Sequence, residues 1–86
     1  MRTRRSEAVE RIDRRLGDLV RCRRQALRLS QTQLAERLGV TYQQIQKYES
    51  GQTRISVALL IRLSRELDLT PNEFLAQLGP FPIGPD

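Results

Sequence analysis

The chain has no histidine and a single cysteine, and before residue 79 it carries little glycine or proline. Each shortage removes a class of answer. With no imidazole, only Cys22, no glycine-rich phosphate loop and no cluster of ligating residues at metal spacing, the sequence points away from an enzyme, and no metal or cofactor is expected. A lone cysteine permits no internal disulfide framework and suits a reduced cytoplasm. No apolar run reaches the roughly 18 residues that a membrane span needs, and no charged n-region leads into an apolar h-region. A cytoplasmic protein without a membrane span or secretory signal is therefore expected. Lysine is also rare: of the 15 basic residues, only Lys47 is not arginine.

What is present is positive charge, unevenly placed. The chain sums to +5 over 86 residues, yet residues 1–28 carry an excess of arginine and the remainder is close to neutral. Such asymmetry favours a polyanionic partner, nucleic acid or an acidic membrane surface. A chain this short folds around one core and buries roughly 60 to 65 per cent of its unfolded surface. No stretch alternates with period two, there is no internal repeat, and apolar residues recur at helical spacing, so the fold class is all-α.

Boundaries follow from capping chemistry. Ser30 to Gln33, Thr41 to Gln44 and Thr70 to Glu73 each fit the S/T-x-x-E/Q box, in which the hydroxyl takes an orphan amide and the third side chain returns the bond. Five helices result. The first spans about Glu10 to Leu27, with Ile12, Leu16, Leu19, Val20, Ala26 and Leu27 inward, and Leu29 anchors the loop that follows. The second spans Gln31 to Leu38 and stops at Gly39; the third begins within three residues, at Tyr42, and reaches Glu49. Ser56 caps a fourth that ends near Leu67, with Leu60, Leu63, Ser64 and Leu67 inward. Pro71 opens a fifth behind Thr70, carrying Phe74, Leu75 and Leu78 and ending at Gly79. Residues 1–9 read as a basic arm, 10–79 as the folded domain and 80–86 as a Pro-rich extended tail.

The informative segment runs from Gln31 to Gly51. Two short helices joined by a glycine-containing turn cross steeply, so their contact must be small. Ala35 supplies the small residue, Gly39 the turn, and Ile45 the apolar plug. On a wheel at about 100° per residue, Ile45, Tyr48 and Glu49 share one side of the third helix. Tyr42, Gln43, Gln46, Lys47 and Ser50 share the other. That second face lacks the Glu-to-Lys pairing of a solubilising surface. Amides that donate and accept suit adenine N6/N7, lysine suits guanine O6/N7, and the major groove of double-stranded DNA admits a helix bearing them.

Over roughly Leu16 to Leu75, the Ser-Gln-x-x-Leu-Ala-x-x-Leu-Gly-Val-Thr run with Ile45, Glu49 and Gly51 resembles the Cro/cI, or XRE, family of helix-turn-helix regulators. The resemblance implies a compact five-helix lambda-repressor-like domain that docks its third helix in the major groove, usually as a homodimer, and acts as a repressor. It implies that Tyr42, Gln43, Gln46 and Lys47 read bases. Gln31, Thr41, Ser50, Thr53 and Arg54 would meet the DNA backbone. Arg24 and Glu49 match a pair that bridges the first and third helices in some members, and Ala35, Gly39 and Ile45 support the motif.

Two positions depart from the family pattern. Arg28 stands where glycine often ends the first helix, which costs about 1 kcal/mol if the backbone is left-handed there. Tyr42 is larger than the usual residue, so a thymine methyl or a phosphate suits it as well as a base edge. Arg2, Arg4 and Arg5 are read as a solvated arm that raises the association rate, with minor-groove contact as the alternative. Val57, Leu59, Ile61, Phe81 and Ile83 exceed what a narrow stripe needs, so helices four and five or the tail could meet a protein partner. An antitoxin that autoregulates its operon and docks a toxin through the tail is the alternative function, and a protein-interaction adaptor is a third.

Overall fold

Each helix among the described residues starts on a hydroxyl and is followed by a left-handed residue, and these two local devices set the element boundaries. The computed structural model describes residues 6–79. Arg2, Arg4 and Arg5, and Phe81 and Ile83 with the Pro-rich segment, lie outside the described residues. The described residues form α1 (Glu7–Ala26), α2 (Gln31–Leu38), α3 (Tyr42–Glu49), α4 (Val57–Glu66) and α5 (Pro71–Ala76), with no strand among them.

The three capping boxes form as the sequence predicts. Ser30, Thr41 and Thr70 accept from the amides of Gln33, Gln44 and Glu73, whose side chains accept the cap amides in return. The bond from the Thr70 amide, with the Thr70 hydroxyl and Arg23 adding to it, holds the Glu73 carboxyl below its ordinary pKa. Ser56 caps α4 alone. Ser6 does the same for α1, accepting from the Val9 amide, so α1 starts one turn earlier than its apolar spacing predicts. Glu7 and Glu10 then occupy its first turn, where carboxylates complement the helix dipole.

At the other end of each helix, Arg28, Gly39, Gly51, Asp68 and Gly79 adopt positive φ. After α1, the Arg28 amide bonds the Gln25 carbonyl and the Leu29 amide reaches back to Arg24, the paired bonds of a Schellman cap. Asp68 and Leu69 repeat the pattern on Arg65 and Ser64. Aspartate tolerates the left-handed region better than arginine does. Arg28, exposed and at φ 58°, carries the strain anticipated from the sequence. Arg28→Gly is therefore expected to stabilise the protein by about 1 kcal/mol. The check is the urea midpoint, which should rise; a fall would mean that the Arg28 side chain contributes more than its backbone costs.

The core gathers one or two residues from each turn. Leu16 and Val20 of α1, Leu34, Ala35 and Leu38 of α2, Ile45 of α3, Leu63 and Leu67 around α4, and Phe74 and Leu78 around α5 pack as one cluster. A fully buried side chain of this kind contributes roughly 1.5 to 3 kcal/mol. α3 packs against both α1 and α2, while α4 packs against α2 and α5. Several expected core positions fall elsewhere: Ile12 is half-buried and lies outside the core cluster. Ala26 and Leu27 are exposed because α1 ends there, and the left-handed turn at Arg28 delivers Leu29 into the interior instead. Leu75 is also exposed; Phe74 and Leu78, four residues apart, define the buried side of the short α5. Leu60 is half-buried against the core rather than within it.

Candidate nucleic-acid interface

α3 is held on one side and open on the other. Ile45 is fully buried, Glu49 nearly so and Tyr48 half-buried, whereas Tyr42, Gln43, Gln46 and Lys47 are exposed. The wheel drawn from the sequence is thus the observed division of the helix. Gln43, Gln46, Lys47 and Ser50 line one shallow groove together with Gln52, a residue that sequence reasoning did not single out. Its place there depends on the turn after α3. Gly51 at φ 79° reverses the chain, and the Gln52 and Thr53 amides fold back onto the Lys47 carbonyl.

The buried side of α3 is anchored by charge. Arg24 Nε donates to Glu49 Oε2 at 2.6 Å and its Nη2 to Oε1 at 3.1 Å, while Nη1 donates to the Leu29 carbonyl at 2.8 Å. Both side chains are withdrawn from solvent. One residue therefore joins α1, the loop before α2 and the end of α3. Gln31 completes the group: its Nε2 donates to Glu49 Oε1 at 3.1 Å. The residue that the family resemblance assigns to the DNA backbone is thus tied to the anchor of α3.

The other residues expected at the backbone are arranged around the ends of α3. The Thr41 hydroxyl accepts from Gln44, which leaves its own O–H available to an outside acceptor. The Ser50 hydroxyl donates to the Lys47 carbonyl at 3.1 Å, which occupies its one O–H. Thr53 and Arg54 are exposed in the following loop. Ala35 is buried at the α2 to α3 crossing, and Gly39 makes the left-handed turn between them at φ 73°.

A further residue was invisible to periodicity. Gly17 lies inside α1, where glycine costs up to about 1 kcal/mol relative to alanine. A Cβ there would sit 2.4 Å from the Tyr48 carbonyl oxygen and 2.6 Å from that of Glu49. α1 thus meets the last turn of α3 backbone to backbone. The signal available in the sequence was a glycine in the middle of a helical stripe, with nothing local to explain it.

No group of residues suited to holding a metal occurs among the described residues, and no helix there is long and apolar enough to cross a membrane. The geometry has parallels in known proteins. The helix-turn-helix family profile matches residues 20–74. A transcriptional regulator in the ATPase CF(0) region of Rhodospirillum rubrum is 41% identical over 73 residues, which cover 85% of this chain and 68% of that protein. An HTH-type transcriptional regulator of Sinorhizobium fredii is 41% identical over 63 residues, 73% of this chain, but the match spans only 44% of its length. Among solved structures, the restriction-modification controller protein C.AhdI from Aeromonas hydrophila superposes with a TM-score of 0.67 at 31% identity, covering 71% of this chain and 92% of that one. The five-helix architecture, the capped pair α2 and α3 and these likenesses together place the chain in the XRE-type helix-turn-helix family of DNA-binding regulators.

Proposed function

We propose that the protein is a sequence-specific double-stranded DNA-binding regulator of repressor type that acts as a homodimer on a pseudo-palindromic operator. The observation that carries this reading is the exposed face of α3. Gln43, Gln46 and Lys47 project from a helix whose opposite side is fixed by Ile45 and Glu49. In this reading those three, with Tyr42 at the helix start, meet base edges in the major groove. Gln31, Thr41, Ser50, Thr53 and Arg54 meet the backbone, where contacts supply affinity and register rather than sequence preference.

Dimer formation is supported by apolar surface on α4 and α5. Val57 is 73% exposed, Ile61 47% and Leu75 38%, and Val57 and Ile61 are one helical turn apart. A second copy seated there would remove that surface from water. The domain measures 38 × 30 × 19 Å, which is compatible with two recognition helices spaced by one DNA turn of roughly 34 Å. Repression needs no further surface, since a dimer bound across a promoter competes with polymerase for the same DNA.

Selection of bound duplexes from a random pool tests this directly. The expected product is a two-fold symmetric consensus with half-sites one turn apart, and placing it over a reporter promoter should lower expression. Recovery of unenriched sequence would overturn specific recognition, and raised expression would overturn the repressor assignment.

A further inference from the structure

The following inference rests on α3 being the major-groove element. Two shallow grooves meet at the turn after α3. The first is the base-facing groove lined by Gln43, Gln46, Lys47, Ser50 and Gln52; the second is lined by Glu10, Arg14, Ser50, Gly51 and Gln52. Ser50 and Gln52 belong to both, so the polar surface of α3 continues across the turn onto the N-terminal half of α1.

The closeness of these elements is set by Gly51. A Cβ at that position would lie 3.0 Å from Arg14 Cγ and 3.1 Å from its Cα, so the stem of Arg14 is seated against the turn. Its side chain is nonetheless exposed. Among the described residues, the Arg14 guanidinium makes no hydrogen bond or ion pair, although Glu10 shares its groove. Arg21, farther along α1, is by contrast paired with Asp18 at 2.9 Å.

With the outward face of α3 in a groove about 12 Å wide, an unpaired cation beside the exit of that helix lies over the bordering strand rather than over bases. We infer that Arg14, with the Gln52 amide beside it, forms a subsite for one DNA backbone phosphate at the edge of the major groove. α1 then contributes directly to binding as well as to the core. Glu10 opposes the incoming anion, so Glu10→Gln should tighten binding.

The test is binding of the whole chain to one selected duplex over a series of salt concentrations. Arg14→Ala should weaken binding roughly tenfold, the loss expected for one charged hydrogen bond, and equally for every sequence. It should also reduce the slope of log K against log salt by about 0.9, the change for one phosphate on duplex DNA. Arg14→Gln, which keeps the stem packed on Gly51, should show the same slope change, and Arg14→Lys should retain the wild-type slope. Arg65→Ala, a charge on α4 away from both grooves, should leave the slope unaltered. A wild-type protein that prefers its consensus, together with Arg14 variants of unchanged slope, would overturn the phosphate subsite alone. Absence of sequence preference in the wild type would overturn the reading of α3 on which it rests.

Discussion

Replacing Gly17 with alanine is expected to destabilise the protein by roughly 3 kcal/mol, the upper part of the range for forcing an extra carbon into a packed interior. The added Cβ would meet Tyr48 O at 2.4 Å, Glu49 O at 2.6 Å and Glu49 C at 2.8 Å. All three are backbone atoms, so no flexible side chain can yield. Relief requires α1 and the last turn of α3 to separate, which disturbs the helix that carries the interface. The thermal midpoint should fall by roughly 12 °C or more, since each kcal/mol shifts a domain of this size by about 4 to 8 °C. The sign makes the experiment decisive. At an open helical position, Gly to Ala stabilises by about 1 kcal/mol through helix propensity, so a raised midpoint for Gly17→Ala would show that the two helices do not meet there.

The second large effect belongs to Arg24 and Glu49. Truncating Glu49 to alanine leaves a guanidinium buried without its carboxylate and removes the acceptor of Gln31; the expected loss is about 3 to 5 kcal/mol. Arg24→Ala should cost a similar amount, stranding the carboxylate and the Leu29 carbonyl. The double replacement Arg24→Met with Glu49→Leu should recover most of that stability, because a buried ion pair exchanged for apolar groups of similar volume is often near neutral. A double-mutant cycle should therefore show coupling of at least about 2 kcal/mol, read by urea unfolding. Additive losses would mean that the two side chains stabilise the fold independently. The double variant also separates stability from orientation: it should fold, yet bind DNA less well than the wild type, since α3 loses the bidentate tie that fixes its angle.

These two effects differ in how visible they were beforehand. Arg24 and Glu49 are a matched pair of charges in a known pattern, and their partnership could be anticipated from the resemblance. Gly17 could not, because its reason for being glycine is a contact with residues some thirty positions away. The same division runs through the fold. Capping boxes at Ser30, Thr41 and Thr70 are local chemistry and were legible, and so were the buried and open sides of α3. Arg28 was flagged because the family pattern often has glycine there, and its φ of 58° makes the strain real. Ala26, Leu27 and Leu75 were misassigned because a wheel extends a stripe past the point where tertiary contacts stop. Leu29, expected as the loop anchor, is buried as the sequence predicts.

The candidate interface shows the same limit. The side chains on α3 were identified from spacing alone, but Gln52 and Arg14 join them only through the turn at Gly51. Gln31 carries a second role that no spacing reveals. Its amide donates to Glu49, so the DNA-backbone contact proposed for Gln31 would be mechanically connected to the position of α3 through one carboxylate.

The central claim is that the open face of α3 reads bases, and the most direct measurement is the base preference of Lys47→Ala on a randomised operator library. Lys47 is exposed and faces the groove with Gln43 and Gln46, so its loss should leave the fold intact. Preference should relax at one base position in each half-site, by about 1 to 3 kcal/mol of discrimination, and stay unchanged elsewhere. A library profile identical to that of the wild type at every position would contradict the claim.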